Sequence, residues 1–474
     1  MLLGENKMDL GVTEIKNIMR NHIFTLMLIL NFIFLTSFIL LTRLDRSGEL
    51  FVKLLIFPLL IFAVTILIYE KKNIELENRN LIIFWVYTIS IRFLVLFIPI
   101  GLSDDVYRYV WDGHIQHNGI NPYLYSPDHA SLEPYHTNWS SNINNPHINS
   151  PYPPFAQILF FIITSFTSDI GLSIILIRIM IVGFDLGTII IVKMILKHFS
   201  LPQRRIVIYA WSPLVIFEFA GNGHIDSIAV FFSLLALYFI LAKVNPRYKI
   251  ISPISLSIAF MSKVYPIILL PYLVTKWNLK EFFTFLFTTI ILVLPFTNNG
   301  INPFYPKGQQ SFVRYFNFNE SVFRIYENYL GTYFNDPEKI ARNHYIILMI
   351  IVSGLLYAQH ISLSRIANQT KININLFSSF RYILLIALLL GPDVQPWYVI
   401  WMLPLAVIFY DWVIIVFSMS VLISYQIYPE YDRTGIWHEN TIILTLEYLV
   451  VYLLLLYLIC FRSYFRNISN VHND

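Results

Sequence analysis

The chain has 474 residues, of which 56% are apolar, 16% aromatic and only 13% charged, with a net charge of +4. Soluble domains carry about 25% charged residues, so at a mean hydropathy of +0.61 the composition excludes a soluble globular protein, a disordered chain and a nucleic-acid binder. The lone cysteine, Cys460, excludes an intrachain disulfide scaffold. What remains is an all-α polytopic membrane protein.

A spanning helix needs about 20 apolar residues. In chain order, candidate spans fall at 22–42, 51–70, 81–100, 172–196, 206–220, 226–243, 249–262, 264–276, 281–296, 344–358, 376–391, 397–410, 411–428 and 442–461, about 14 in all. No small-residue cleavage site follows the first run, so it reads as a retained span rather than a signal peptide. The stretch 155–168 is short and preceded by Pro153 and Pro154, and it reads as re-entrant or interfacial.

Lys and Arg concentrate in cytoplasmic loops. With the N-terminus inside, 20 of the 33 cations fall on the inner side and 11 on the outer, while Arg92 and Arg178 lie within spans. Both termini are therefore expected to be cytoplasmic. The polar segments 101–154, 221–226, 297–343, 391–396 and 429–441, together with Lys263, then share the outer face. Two of them, 101–154 and 297–343, are large outer loops within a single 1–474 domain. No Walker A sequence occurs, which argues against an ATP-driven transporter.

The first outer loop opens with Gly101-Leu102-Ser103-Asp104-Asp105-Val106-Tyr107-Arg108-Tyr109-Val110-Trp111-Asp112. Adjacent carboxylates repel, so holding Asp104 beside Asp105 is costly and favours a raised pKa in one of them. The bland alternative is a solvated helix cap. Helical spacing puts Asp105, Arg108 and Asp112 on one face, a set suited to a sugar and a phosphate together. Asn118-Gly119-Ile120-Asn121-Pro122-Tyr123 ends the helix, and seven prolines stiffen 122–154.

These residues, with Glu218-Phe219-Ala220-Gly221-Asn222-Gly223-His224-Ile225-Asp226 and Pro396-Trp397-Tyr398-Val399-Ile400-Trp401-Met402-Leu403-Pro404, resemble ordered blocks of polyprenol-phosphate-mannose-dependent mannosyltransferases. The resemblance covers residues 100–410. It implies a GT-C bundle whose first outer loop carries the active site. It also implies a polyprenyl-phosphate sugar as donor, a lipid- or glycan-linked acceptor, and a catalytic carboxylate at Asp104 or Asp105. Three spans before that loop, where the family plan has one, leave the first two helices unexplained.

Such a transfer needs a base for the acceptor hydroxyl, a cation for the leaving phosphate and aromatic surfaces for sugar and lipid. Asp104 and Asp105 are the base candidates. Arg108, Lys263, Arg314 and Arg324 are the phosphate candidates, although Arg314 and Arg324 also suit headgroup-level snorkelling. Asn222, His224 and Asp226 are placed to contact substrate, and Asp226 equally suits a helix N-cap. Trp397 and Trp401 share a face at i, i+4, as a prenyl groove would need, and Tyr398 lies between them; interfacial belt aromatics are the alternative. Asp112 is a further polar contact. His114 and His117 at i, i+3 would suit a metal, but no H-E-x-x-H or cysteine partner supports one, and none is required on this reading. One strong base and no opposed second carboxylate predict inversion at the anomeric carbon. The competing readings are a secondary transporter, for which Arg92, Arg178 and Asp185 are the relevant ions, and an oligosaccharyl or protein O-mannosyl transferase. Arg178 and Asp185, seven apart on one helix face, are expected to join a structural network.

Overall fold

The computed structural model describes residues 22, 25–33, 35–38, 49–74, 76–97, 100–241, 246–297, 302–304, 306–366 and 369–471. Among these residues the protein is helical, with no strand. Eight helices are long and apolar enough to cross a membrane: Val52–Lys71, Arg79–Leu96, Ile170–His198, Leu279–Phe296, Pro337–Ile366, Ile372–Leu390, Trp412–Tyr431 and Thr441–Cys460. A ninth span forms if Pro213–Gly221 and Asp226–Leu241, bent by 116° at their junction, are taken as one.

The expectation of about 14 spans is not confirmed: among the described residues eight helices, or nine with the bent pair counted as one span, are long and apolar enough. Hydropathy registers apolar content, not helix continuity. Segments 206–220 and 226–243 are two arms of one broken unit. The 249–276 region divides into a helix of 10 residues, Ile251–Phe260, and the short apolar helix Tyr265–Val274, with Pro266 and Pro271 in it. Ten residues rise about 15 Å, half a hydrocarbon core. Pro396–Phe409 is likewise short. The run at 22–42 falls partly outside the described residues. Pro154–Thr164 is an apolar helix of 11 residues, too short to span.

The long helix Ile170–His198 packs against Asp226–Leu241, which in turn packs against Ile251–Phe260. Two arginines are sealed in this core. Arg92 pairs with Asp185 at 2.5 Å and donates to the Ala210 carbonyl at 2.9 Å. Arg178 does not join Asp185; its Nε donates to the Ala220 carbonyl at 2.9 Å and its Nη2 to the Val95 carbonyl at 2.5 Å. It therefore satisfies a carbonyl at the helix break and another at the end of the Asn78–Leu96 helix, which is how an interrupted helix is tolerated inside an apolar bundle. At the break Gly223 has φ +78°, and a Cβ there would sit 3.1 Å from Arg178 Cγ, so a side chain would meet both backbone strain and a wall.

The segment 101–154 is a packed unit with the helix that follows it. Helix Asp105–His117 lies against Pro154–Thr164. Gly113 permits that approach, since a Cβ would come within 2.6 Å of the Phe160 carbonyl oxygen. The Phe155 amide donates to the Met261 carbonyl at 2.8 Å, which ties the end of the loop to the turn carrying Lys263.

Candidate active site

Asp104 occupies the N-cap position of helix Asp105–His117, yet its side chain caps nothing. It is claimed instead by Asn144, whose Nδ2 donates to Asp104 Oδ1 at 3.0 Å and to Asp105 Oδ1 at 2.5 Å. One amide thus clamps both acids. Asp104 keeps an open side toward solvent but is otherwise surrounded by protein. That desolvation, and then the Asp105 charge, push its carboxyl up to about 6. Asp105 goes the other way. Burial would raise it, but His224, Asn144 and Lys263 outweigh burial and hold it below the usual carboxylate range. The two neighbours are therefore unlike acids.

The cause of the split is His224, brought in by the broken span. Its Nδ1 lies 3.6 Å from Asp105 Oδ2 and its Nε2 lies 3.2 Å from Glu218 Oε2. Neither contact is aligned as a hydrogen bond, so these are charge contacts. The ring is fully buried and stacks on Trp397, with centroids 3.6 Å apart. Burial alone would depress the imidazole, but the two carboxylates push it up to about 9. Glu218 is itself held by Asn222 Nδ2 at 2.9 Å and the Tyr425 hydroxyl at 2.7 Å. It lies on a turn of π-helix, Ile216–Gly221, a distortion that recurs at functional sites.

Asp226 opens the second arm of the broken span. Its Oδ2 pairs with Lys263 Nζ at 3.1 Å and its Oδ1 accepts from Trp401 Nε1 at 2.7 Å. Lys263 also lies over the Tyr398 ring, 5.3 Å from its centroid. Trp401 stacks between Tyr265 and Tyr398, at 4.1 and 4.5 Å. Trp397 and Trp401 are both half-buried but have separate partners, His224 for one and Tyr265 for the other. Nearby, Asp393 accepts from Gln395 at 2.8 Å, and burial pushes its carboxyl up to about 6.

Asp104, Asp105, Asn222, His224, Asp226, Lys263, Trp397, Tyr398 and Trp401 are thus linked through contacts in one region. Four other candidates are engaged elsewhere or lie in the open. Arg108 Nε pairs with Asp112 Oδ1 at 3.1 Å and Arg108 Nη2 donates to the Ile148 carbonyl at 2.8 Å. Asp112 Oδ2 accepts from Gln157 Nε2 at 2.8 Å and from the Ser150 hydroxyl. This buried set latches the loop. Arg324 bonds Glu439 and lies 3.3 Å from Glu320 Oε1, pinning the 297–343 segment to the segment before Thr441. Arg314 is exposed on Lys307–Tyr315. His114 Nε2 meets the Tyr135 carbonyl at 3.2 Å and His117 Nε2 meets Thr164 Oγ1 at 3.0 Å.

Glu218, Asn144 and Tyr425 were assigned no role from sequence. The signal for Glu218 was present, since an acid in an apolar run marks function by default, and the same rule selects Lys263. Asn144 and Tyr425 carried no local signal.

A family model described as "Alpha-(1->6)-mannopyranosyltransferase, N-terminal domain" matches residues 38–279, just over half of the chain. The matched part includes Asp104, Asp105, Glu218, His224, Asp226 and Lys263 and ends before the Trp397 block. No curated protein and no solved structure matches the chain.

Proposed function

Since the chain belongs to the alpha-(1->6)-mannopyranosyltransferase family, we propose that it moves a mannosyl residue from a polyprenyl-phosphate donor to a lipid- or glycan-linked acceptor. The reaction takes place at the non-cytoplasmic membrane face, in a GT-C-type bundle with both termini cytoplasmic. The family's description adds a linkage, so the attacking group is a 6-hydroxyl, a primary alcohol that needs a base. The observation that carries the reading is the acid pair Asp104–Asp105, clamped by Asn144 with Asp105 against His224, beside the Lys263–Asp226 ion pair where the first outer loop meets the broken span.

Of the pair, Asp104 is the base. It is the accessible member, and its carboxyl, pushed up to about 6, is poised near neutral pH, where general bases are most effective. The acceptor oxygen attacks the anomeric carbon and its proton passes to Asp104. The bond from that carbon to the phosphate oxygen breaks, and the electron pair leaves on the phosphate. Lys263 stabilises the charge that develops there: its ammonium has three N–H donors, of which Asp226 engages one, and its charge acts on Asp105, whereas the partners of Arg108 and Arg324 lie outside this cluster. The stacked rings of Tyr265, Tyr398 and Trp401 offer a surface for the sugar or the first prenyl units. No second carboxylate is placed to attack from the opposite side: Asp104 and Asp105 both turn to the same Asn144 amide, on one side of the site, and Asp226 is committed to Lys263 and Trp401. The step is a single displacement, and a β-linked donor gives an α-linked product. Membranes carrying the chain, fed radiolabelled prenyl-phosphate mannose, should form a labelled product whose α linkage proton NMR reports. A β product from a β donor, or no product, would overturn the reading.

A further inference from the structure

His224 meets a carboxylate at each ring nitrogen, Asp105 at 3.6 Å and Glu218 at 3.2 Å. A neutral imidazole has one N–H and one lone pair, so it would present a lone pair to one of these anions. Only the doubly protonated ring suits both. Stacking on the Trp397 face at 3.6 Å favours the same form, because an aromatic face attracts a cation. The second carboxylate, Glu218, is held as an acceptor by Asn222 and Tyr425, both donors to it. The imidazolium is therefore built in, fixed by contacts from three separate parts of the chain.

We propose that His224 is a positioning residue for the transfer, a fixed cation that pins the Asp105 carboxylate and thereby leaves Asp104 to take the acceptor proton. The inference rests on the reading of Asp104 as the base. Without a counter-charge, two adjacent carboxylates share one proton and neither is reliably free. With the imidazolium on Asp105, the proton belongs to Asp104 alone. The other groups around the acid pair are Asn144, Tyr109 and Tyr152 from the 101–154 segment, Asp226 and Lys263, Tyr398, and Tyr425 and Tyr428 from Trp412–Tyr431. Three anions, Asp105, Glu218 and Asp226, face two cations, His224 and Lys263, so the balance changes sign of response depending on which member is removed.

The experiment is the pH–rate profile of the full-length protein in detergent, with a short-chain prenyl-phosphate mannose as donor and an alkyl mannoside as acceptor. The parent's acid limb should fall near the Asp104 value of about 6. His224→Gln removes a positive charge, so the limb should move to higher pH, by about one unit or more. Glu218→Gln removes a negative charge and should move it to lower pH. A merely structural role would lower activity in both variants with the limb unmoved. Limbs that stay at the parent position, or that shift in the same direction, would overturn the proposal. If His224→Gln does not fold, judged by gel filtration, the direction of the Glu218→Gln shift decides. An Asp104→Asn arm separates the two readings. Full turnover in that variant removes the base assignment itself. A dead variant beside unmoved limbs removes only the role of His224.

Discussion

One helix, Asp105–His117, begins at one acid–cation cluster and carries another one turn further on, and the two are finished differently. In the Arg108–Asp112 cluster every charge has a partner inside the loop or on the helix that follows it: the ion pair itself, the Ile148 carbonyl, Gln157 and Ser150. In the Asp104–Asp105 cluster two like charges are forced together, and the compensation comes from a different part of the chain, His224 on the broken span. The first arrangement neutralises charge and is a latch. The second keeps charge unequal across two neighbours, with one carboxyl raised and the other lowered. A site that must pick up a proton needs the second kind.

The comparison breaks most directly at Asp104. Asp104→Asn should cut turnover by about 1,000-fold, within the range of about 10²–10⁴ for a lost general base, with unchanged yield of folded protein. Asp112→Asn should instead cut the yield. If Asp104→Asn keeps near-parent turnover, the division between latch and site is wrong.

Next in size is Lys263. Lys263→Met should lower kcat with the lipid-phosphate donor by about 10-fold or more, and Lys263→Arg should recover most of it, because the interaction is one of charge with a developing phosphate anion. Steady-state kinetics with varied donor distinguishes this from an effect on KM alone. The pH response comes third. Asp104 acts as a base only when ionised, and its carboxyl sits at about 6, so activity is full above that value and lost below it. At pH 5, one unit below, turnover should be about 10-fold lower and should return on raising the pH.

Much of this site was legible in the sequence because its members are polar residues at the edges of apolar runs. Asp104, Asp105, His224, Asp226 and Lys263 each stand where a charge is costly, and cost is visible without a structure. Their grouping was not legible. Tyr425 reaches Glu218 across 207 residues of sequence, and nothing local announces that contact. Of the face expected for Asp105, Arg108 and Asp112, Arg108 and Asp112 meet as an ion pair while Asp105 turns to His224 and Asn144; periodicity says which side chains share a face and not what packs on them. Gln157 and Ser150 cover Asp112 and turn part of a presumed binding surface into a buried latch. The helical class followed from composition, whereas the number of spans did not. The breaks at Gly223 and at Lys263, which lower that number, are also the places where the charged groups enter.

The smallest effect on chemistry, and the sharpest check of the comparison, belongs to the latch. Arg108 and Asp112 are both almost fully buried, so removing one partner strands the other's charge away from water. Breaking such a pair typically costs about 3–5 kcal/mol, while replacing both partners with apolar side chains of similar volume is often nearly neutral. Arg108→Met should therefore lower thermal stability markedly. The double variant Arg108→Met, Asp112→Leu should recover part of that loss, short of all of it because Gln157 and Ser150 would then lack their acceptor. Turnover per folded molecule should stay close to the parent's in both, since neither group meets the reacting atoms. Thermal unfolding in detergent, read beside single-turnover rates, tests the two halves separately. A single variant that unfolds like the parent but loses donor affinity would move Arg108 out of the latch and into the phosphate site, beside Lys263.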